Sequence, residues 1–367
     1  MKQLHALTSL RAFLALWVVT RHLFHPFWNG VFFDIGTRVS LFSKGYLGVD
    51  GFFILSGFIL AYNYANGAPL DYRKFLGARF ARIYPVHVVC LVAAAAVIFF
   101  KQFHLHKEII GTAANTYTSL LANFVLLNSW SFETMTGWND VAWSVSAEWF
   151  AYVFFPVFVF LAPRRNRFAI GSAMVLPVVA LALVEWRSRY GLSMPGGLAR
   201  LIPEFYTGVL LFRLRQAGMF AKLSRLSGTI AVCIVVLGVS MKIDTVSVIG
   251  LGLLIFALSC ETDYLARPLR ATWLIYLGEI SYCMYMVQRF PMEAFSLARK
   301  SSNTVAGLPT PIQMVIYATI LLLCAAALHH VVENPSRRAL KNFFNRFEHR
   351  PLRHPELSAD AQNSGAA

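Results

Sequence analysis

The sequence predicts an all-α fold, a polytopic membrane helical bundle with ten crossings and one short, partly inserted helix. Hydrophobic residues make up 57% of the 367-residue chain and charged residues only 14%, and the mean hydropathy is +0.55. Soluble domains contain about 25% charged residues. Apolar stretches of about 17 to 25 residues, long enough to cross about 30 Å of hydrocarbon, recur along the chain. Basic residues gather in alternate connections between these stretches.

Ten apolar stretches approach or reach the length of a span. In chain order they cover residues 7–27, 46–65, 84–100, 143–162, 168–186, 198–214, 227–242, 246–260, 272–290 and 312–333. The pair between residues 227 and 260 is somewhat short for a full crossing. The first stretch is not a cleaved signal peptide, because it lacks an Ala-x-Ala-like site and carries Arg21 and His22 near its end.

The segment 112–127 is less apolar, because Asn, Thr and Ser residues interrupt it. If it does not cross and the N-terminus is cytoplasmic, 20 of the 33 Lys and Arg residues lie inside and 9 outside. If it did cross, the cluster of Arg164, Arg165 and Arg167 would move outside, against the positive-inside rule. The sequence therefore predicts a short, partly inserted helix here, with both termini cytoplasmic.

One membrane-embedded domain is predicted over residues 1–340, followed by a basic, partly disordered cytoplasmic tail over residues 341–367. Most of the net charge of +15 follows from the positive-inside bias, and the tail faces anionic membrane lipid. Because the basic residues are dispersed between spans, no nucleic-acid partner is expected. The sequence carries no signal for an oligomeric state.

Cysteine and histidine spacing predicts no metal site. The five cysteines show no Cys-x-x-Cys spacing and are interpreted as small packing residues: Cys90, Cys233, Cys260, Cys283 and Cys324. Three histidine pairs lack a matching Cys or carboxylate pattern: His22 and His25, His104 and His106, His329 and His330.

The first span places two ionisable residues, Arg11 and His22, on one helical face. Eleven residues turn a helix through three turns plus about 20° and separate the side chains by about 16 Å along the axis. Ionisable groups at membrane depth are costly, so each is a candidate for function. In the alternative interpretation, Arg11 reaches the inner headgroups and His22 is a packed polar residue.

Two other helices bring carboxylates close to the depth of His22. Counted from the outer ends of their spans, His22 lies about 8–9 Å deep, Glu148 about 8–10 Å and Asp50 about 6 Å. A carboxylate can orient an imidazole that acts as a general base on a hydroxyl. Alternatively, Glu148 pairs with an arginine for structure and Asp50 serves as a helix cap or dipole partner.

Cations gather on the predicted inner side. Arg11 lies near the start of its span, and Arg73, Lys74, Arg79 and Arg82 follow the second span. Guanidinium groups bind phosphate in bidentate fashion, so these residues suit a phosphorylated ligand. A basic cytoplasmic loop is also what topology alone demands.

On these residues the sequence resembles the acyltransferase 3 family of integral-membrane acyltransferases, over roughly residues 4–340. The matching pieces are Leu10-Arg11 with His22 and the segments 48–58, 79–85, 143–149, 277–282 and 332–335. Six matches in the same order, on the expected helices, make the resemblance specific.

The resemblance implies transfer of an acyl group, by default acetyl, from cytoplasmic acyl-CoA to a hydroxyl group. The expected acceptor is a cell-surface or lipid-linked glycan, such as a lipopolysaccharide, an exopolysaccharide or another polysaccharide, at the bacterial inner membrane. Acyl-CoA is a co-substrate, and no cofactor is bound permanently. A non-glycan metabolite stays open as the acceptor.

The family motifs also imply residue roles. His22 would be the catalytic base or handle the acyl group, with Arg11 and Glu148 in the same catalytic set. Arg79 and Arg82 would hold the CoA phosphates. The remaining assignments are Ser56 on the donor side and, on the acceptor side, Asp50, Tyr282 and Gln288.

Two features depart from the family pattern. Gln288 stands where the family often has His, so a relay that needs a titratable group is missing, although glutamine can still hydrogen-bond an acceptor. Many relatives carry a soluble esterase-like domain, and this chain is expected to act alone or with a separate partner. A secondary transporter is the rival class, but the two halves show no convincing internal repeat.

Overall fold

The computed structural model describes residues 3–24, 40–67, 69–106, 108–112, 114–130, 137–164, 166–188, 191–193, 196–219, 225–260 and 262–346. Within these ranges every regular element is helical, which confirms the all-α prediction. Most of the predicted tail, from residue 347 onward, lies outside the described residues.

Seventeen α-helices form the described structure, with a π-turn at His329–Glu333. In chain order they are α1 (His5–Phe24), α2 (Ser40–Ser43), α3 (Leu47–Tyr64), α4 (Tyr72–Phe103), α5 (Tyr117–Phe124), α6 (Trp143–Val153), α7 (Phe155–Leu161), α8 (Arg167–Arg187), α9 (Gly197–Gln216), α10 (Ser227–Met241), α11 (Asp244–Leu258), α12 (Thr272–Glu279), α13 (Ser281–Val287), α14 (Arg289–Ser301), α15 (Asn303–Ala306), α16 (Thr310–Leu328) and α17 (Asn334–Arg346).

The predicted count of ten crossings is not confirmed. By length and composition, four described helices can cross a membrane: Leu47–Tyr64, Tyr72–Phe103, Arg167–Arg187 and the continuous run Thr310–Leu340. A fifth is counted if Asp140–Val153 and Phe155–Leu161, bent by 61°, form one span. Helices α10 and α11 have 15 residues each, about 22 Å, and charged residues interrupt α1 and α9.

Prolines explain why two predicted spans are broken. Pro156 lies in the first turn of α7, where its missing N–H cannot continue the hydrogen bonds of α6. Pro291 likewise offers no N–H to the carbonyl of Val287, where α13 gives way to α14. The predicted span 272–290 has a further break, without a proline, at Ile280 between α12 and α13. The segment 112–127 contains one short helix, α5, of eight residues. Its insertion into the membrane stays a prediction.

Glycines bring three helices close together. A Cβ atom on Gly48 would lie 2.6 Å from the carbonyl oxygen of Leu14 in α1, and one on Gly57 would overlap the carbonyl oxygen of Phe205 in α9. Small residues allow such close approach between membrane helices. Helix α3 is therefore held between α1 and α9.

Helices α1 and α3 run antiparallel, which fixes the two ends of the bundle. Gly45, just before α3, packs against Trp17 and Arg21 late in α1, whereas Gly51 packs against Leu14. We call the end that carries the start of α1 and α17 the basic end, and the opposite end the His22 end. The positive-inside prediction places the basic end in the cytoplasm.

Candidate active site

One cavity of about 550 Å³ lies among α1, α3, α4, α6, α12, α13 and α17. Six residues predicted for the site line it: Arg11, Ser56, Arg79, Arg82, Glu148 and Tyr282. Five helices contribute these side chains, so the bundle brings together residues that are distant in sequence. His22, Asp50 and Gln288 are not among the lining residues.

The basic end of the cavity holds a cluster of guanidinium groups. Arg79 lies over the Tyr64 ring, 5.7 Å from its centroid, and its Nε is buried without a hydrogen-bond partner. Arg337, in α17, lines the same region. Among the described residues, neither Arg79 nor Arg337 forms an ion pair with a carboxylate, so both charges are available to an anionic ligand.

Arg82 differs from its neighbours because it already has a carboxylate partner. It forms an ion pair with Glu333 and lies over the Tyr282 ring, 5.9 Å from the centroid. The Tyr282 hydroxyl donates to the carbonyl of Ile83 at 2.6 Å, which fixes the ring against α4. Arg82 therefore faces the cavity with a neutralised charge, whereas Arg79 and Arg337 form no ion pair among the described residues. Glu279 also lines the cavity and lies within electrostatic reach of Arg337.

A hydroxyl and a carboxylate meet deeper in the cavity. The Ser56 hydroxyl donates to Glu148 Oε1 at 2.6 Å, and Tyr152, one turn after Glu148, reaches both groups. Arg11 lies within electrostatic reach of Glu148. This centre could receive a proton, hold a carbonyl group by hydrogen bonds or carry a covalent intermediate on Ser56.

His22 and Gln288 form a second polar group just beyond the cavity. The His22 Nδ1 and Gln288 Oε1 atoms are 2.8 Å apart. Tyr285 lines the cavity and lies three residues before Gln288, about 4.5 Å along the helix axis. The Ser144 hydroxyl donates to the Tyr285 hydroxyl at 2.7 Å, and both side chains line the cavity.

Asp50 lies away from the cavity in a buried ion pair. It accepts hydrogen bonds from Arg200 Nε at 3.0 Å and from Arg200 Nη2 at 2.6 Å, and Glu204 is buried beside this pair. The pair joins α3 to α9. The geometry therefore supports neither contact of Asp50 with an acceptor nor its alternative interpretation as a helix cap.

The structure supplies histidine partners that sequence spacing did not reveal. Cys283 and Glu333 surround His329, and their ligand atoms lie within 4.8 Å of one another, close enough to hold a metal ion in principle. Hydrogen bonds already join these atoms: Glu333 Oε2 lies 2.7 Å from His329 Nδ1 and 3.2 Å from Cys283 Sγ. Arg82 pairs with the same carboxylate, that of Glu333. These four side chains therefore form a hydrogen-bonded ion-pair network.

Sequence reasoning missed three groups that face the cavity. Arg337 was counted only among the basic residues near the C-terminus, although it lies one turn after Asn334 of the matching segment 332–335. Tyr152 lies one turn after Glu148, and Ser144 one turn before it. Helical periodicity around Glu148 and Asn334 is the signal that could have identified them.

The chain is similar in sequence to known acyltransferases. A protein-family model described as an acyltransferase domain matches residues 4–330. Acyltransferase MdmB from Streptomyces mycarofaciens is 26% identical over 372 residues, covering 92% of each chain. O-acetyltransferase OatA from Staphylococcus aureus is 26% identical over 195 residues, 50% of this chain and 29% of OatA. The putative peptidoglycan O-acetyltransferase YrhL from Bacillus subtilis is 28% identical over 48% of this chain and 27% of YrhL. No solved structure gives a significant match.

Proposed function

This chain belongs to the acyltransferase family whose model covers residues 4–330, and from that membership we propose a donor, an acceptor and a route for the acyl group. The donor is a cytoplasmic acyl-CoA, with acetyl as the default acyl group. The acceptor is a hydroxyl of a cell-surface or lipid-linked glycan, reached from the His22 end. The O-acetyltransferase names of OatA and YrhL support transfer to oxygen.

One observation carries the proposal: a single cavity joins the arginine cluster at the basic end to the Ser56–Glu148 pair. The phosphates of acyl-CoA would bind Arg79 and Arg337, with Arg82 beside them. The thiol arm would extend past Arg11, and the thioester would lie near Ser56 and Glu148. Guanidinium groups match phosphate geometry, and apolar lining residues such as Phe53, Leu55 and Ile59 suit an uncharged arm.

His22 is proposed as the base that removes the proton of the acceptor hydroxyl. The hydroxyl oxygen then attacks the thioester carbonyl, the C–S bond breaks, and the thiolate takes the proton back from the imidazolium to leave as free CoA. Tyr285 lines the cavity and its backbone carbonyl accepts from Gln288, so this residue connects the cavity to the His22–Gln288 pair. A covalent intermediate on Ser56 or His22 is an alternative with the same net reaction.

Label transfer tests the donor and the acceptor together. The full chain in lipid vesicles, given radiolabelled acetyl-CoA, is expected to form a labelled ester on a lipid-linked glycan or a polysaccharide. A hydroxylated small molecule, tested in parallel, decides whether the acceptor is a glycan. Solute uptake by the vesicles without any label transfer would overturn the proposal in favour of a transporter.

Arg337→Gln is expected to raise the KM for acyl-CoA about 10-fold and to change kcat little, because a charge-assisted contact to phosphate is lost in ground state and transition state alike. Arg338→Gln is the matched control, since Arg338 is the next residue and does not line the cavity. Initial rates at varied acyl-CoA concentration measure both constants. Equal KM values for the two variants would remove Arg337 from the donor site.

A further inference from the structure

We propose that Gln288 is the positioning residue of His22: it holds Nδ1 as the protonated nitrogen and thereby leaves Nε2 as the basic one. This inference rests on the proposed role of His22 as the base, and it explains why this chain can work with an amide where its family often has a titratable histidine. Three steps in the hydrogen-bond geometry carry it.

The Gln288 amide has only one orientation that satisfies its neighbours. Its Nε2 donates to the backbone carbonyl of Tyr285 at 2.8 Å. A carbonyl oxygen can only accept, so the NH₂ group must face Tyr285. A flipped amide would set two oxygens against each other. The amide oxygen of Gln288 therefore faces His22.

That oxygen then decides which nitrogen of His22 carries the hydrogen. Gln288 Oε1 lies 2.8 Å from His22 Nδ1 and can only accept. Nδ1 must therefore be the donor, and in the neutral ring the lone pair lies on Nε2. The order of donors therefore runs from His22 to Gln288 and from Gln288 to Tyr285.

Gln288, which anchors the His22 ring, is itself held rigidly. Gln288 is buried, at 1% exposure, and the Tyr317 hydroxyl donates to its backbone carbonyl at 3.3 Å. The next residue, Arg289, pairs with Asp140, with Nε and Oδ1 3.3 Å apart. These contacts fix the junction between α13 and α14. An orienting group must be fixed in this way if it is to hold a ring in one tautomer.

A neutral anchor also behaves differently from a titratable one. A histidine at position 288 could exchange its own proton and present either a donor or an acceptor to Nδ1. Glutamine has no such choice, so it presents the same acceptor to Nδ1 whenever the His22 ring is neutral. The missing relay is thus replaced by a fixed acceptor.

Two substitutions distinguish a positioning role of Gln288 from a role in packing alone. Gln288→Leu keeps the volume and removes the acceptor, and it should lower kcat about 10- to 100-fold with little change in the KM for acyl-CoA. Gln288→Glu keeps an acceptor at the same place. In its protonated form it also donates to Tyr285, so it should recover most of the activity.

Imidazole NMR provides a readout that does not depend on activity. The full chain, labelled with ¹³C and ¹⁵N only in histidine and placed in lipid vesicles, is compared with His22→Asn, which identifies the His22 signals by their loss. The wild type and Gln288→Glu should show protonated Nδ1. Gln288→Leu should show a mixture of the two tautomers.

The outcomes distinguish this inference from the proposed function. Full kcat in Gln288→Leu, or an unchanged tautomer in that variant, would overturn the positioning role even if His22 is essential. Full activity in His22→Asn would overturn the base assignment, and with it the positioning role in catalysis. If Gln288→Leu fails to fold, a wild-type spectrum with hydrogen on Nε2 would still refute the inference.

Discussion

His22→Ala is expected to abolish acyl transfer, with kcat lowered about 10²- to 10⁴-fold, while the protein still inserts and folds. The substitution removes the proposed base and its 2.8 Å contact with Gln288. The ring is only partly buried, so its loss should cost little stability. Transfer of label from acetyl-CoA measures the rate, and the size-exclusion profile in detergent checks the fold.

His104→Ala is the matched control, because His104 is exposed beyond the end of α4 and does not line the cavity. It should leave the rate unchanged. If His22→Ala keeps the wild-type rate, the base lies elsewhere. Glu148, which already shares the cavity with Ser56, would then be the next candidate.

Arg200→Met is expected to be the most destabilising single substitution in the α3–α9 interface, by about 3–5 kcal/mol. It leaves two buried carboxylates, Asp50 and Glu204, without their cation. Asp50→Asn should cost only about 1–2 kcal/mol, because the amide oxygen can still accept a hydrogen bond from Arg200 and Glu204 lies within electrostatic reach of that guanidinium. Arg200→Met is expected to cost more than Asp50→Asn because Asp50 and Glu204 depend on the same cation, Arg200.

Thermal unfolding in detergent, followed by tryptophan fluorescence, ranks these variants. Arg187→Met is the control, since Arg187 is an exposed arginine at the end of α8. The same experiment decides the role of Asp50. A stable Asp50→Asn protein with a strongly raised KM for the acceptor would restore the predicted binding role and contradict a purely structural ion pair.

Local sequence patterns predicted the parts of the molecule that depend on a single helix. Apolar periodicity and composition gave the helical class, and the continuous helix α1 carries both Arg11 and His22, as predicted. The number of crossings was harder to predict, because apolarity alone does not reveal a break at Pro156 or Pro291. Those breaks depend on which backbone groups find other partners in the folded bundle.

In the candidate site, too, the sequence predicted individual residues, whereas their contacts depended on the folded bundle. Charge and depth selected Arg11, Arg79, Arg82 and Glu148, the family resemblance added Ser56 and Tyr282, and all of them line one cavity. Depth along separate helices could not show that Asp50 faces Arg200 instead, because rotation of a helix about its axis is set by packing at residues such as Gly48 and Gly57.

The sequence by itself determined the helical class, the family and most of the polar residues that meet in the cavity, because these properties depend on local composition and motif order. Only the tertiary structure decided which of those residues meet. It paired Asp50 with Arg200, gathered Cys283 and Glu333 around His329, and joined His22 to Gln288. Such contacts join residues far apart in sequence, and their geometry follows from helix packing, which no single segment encodes.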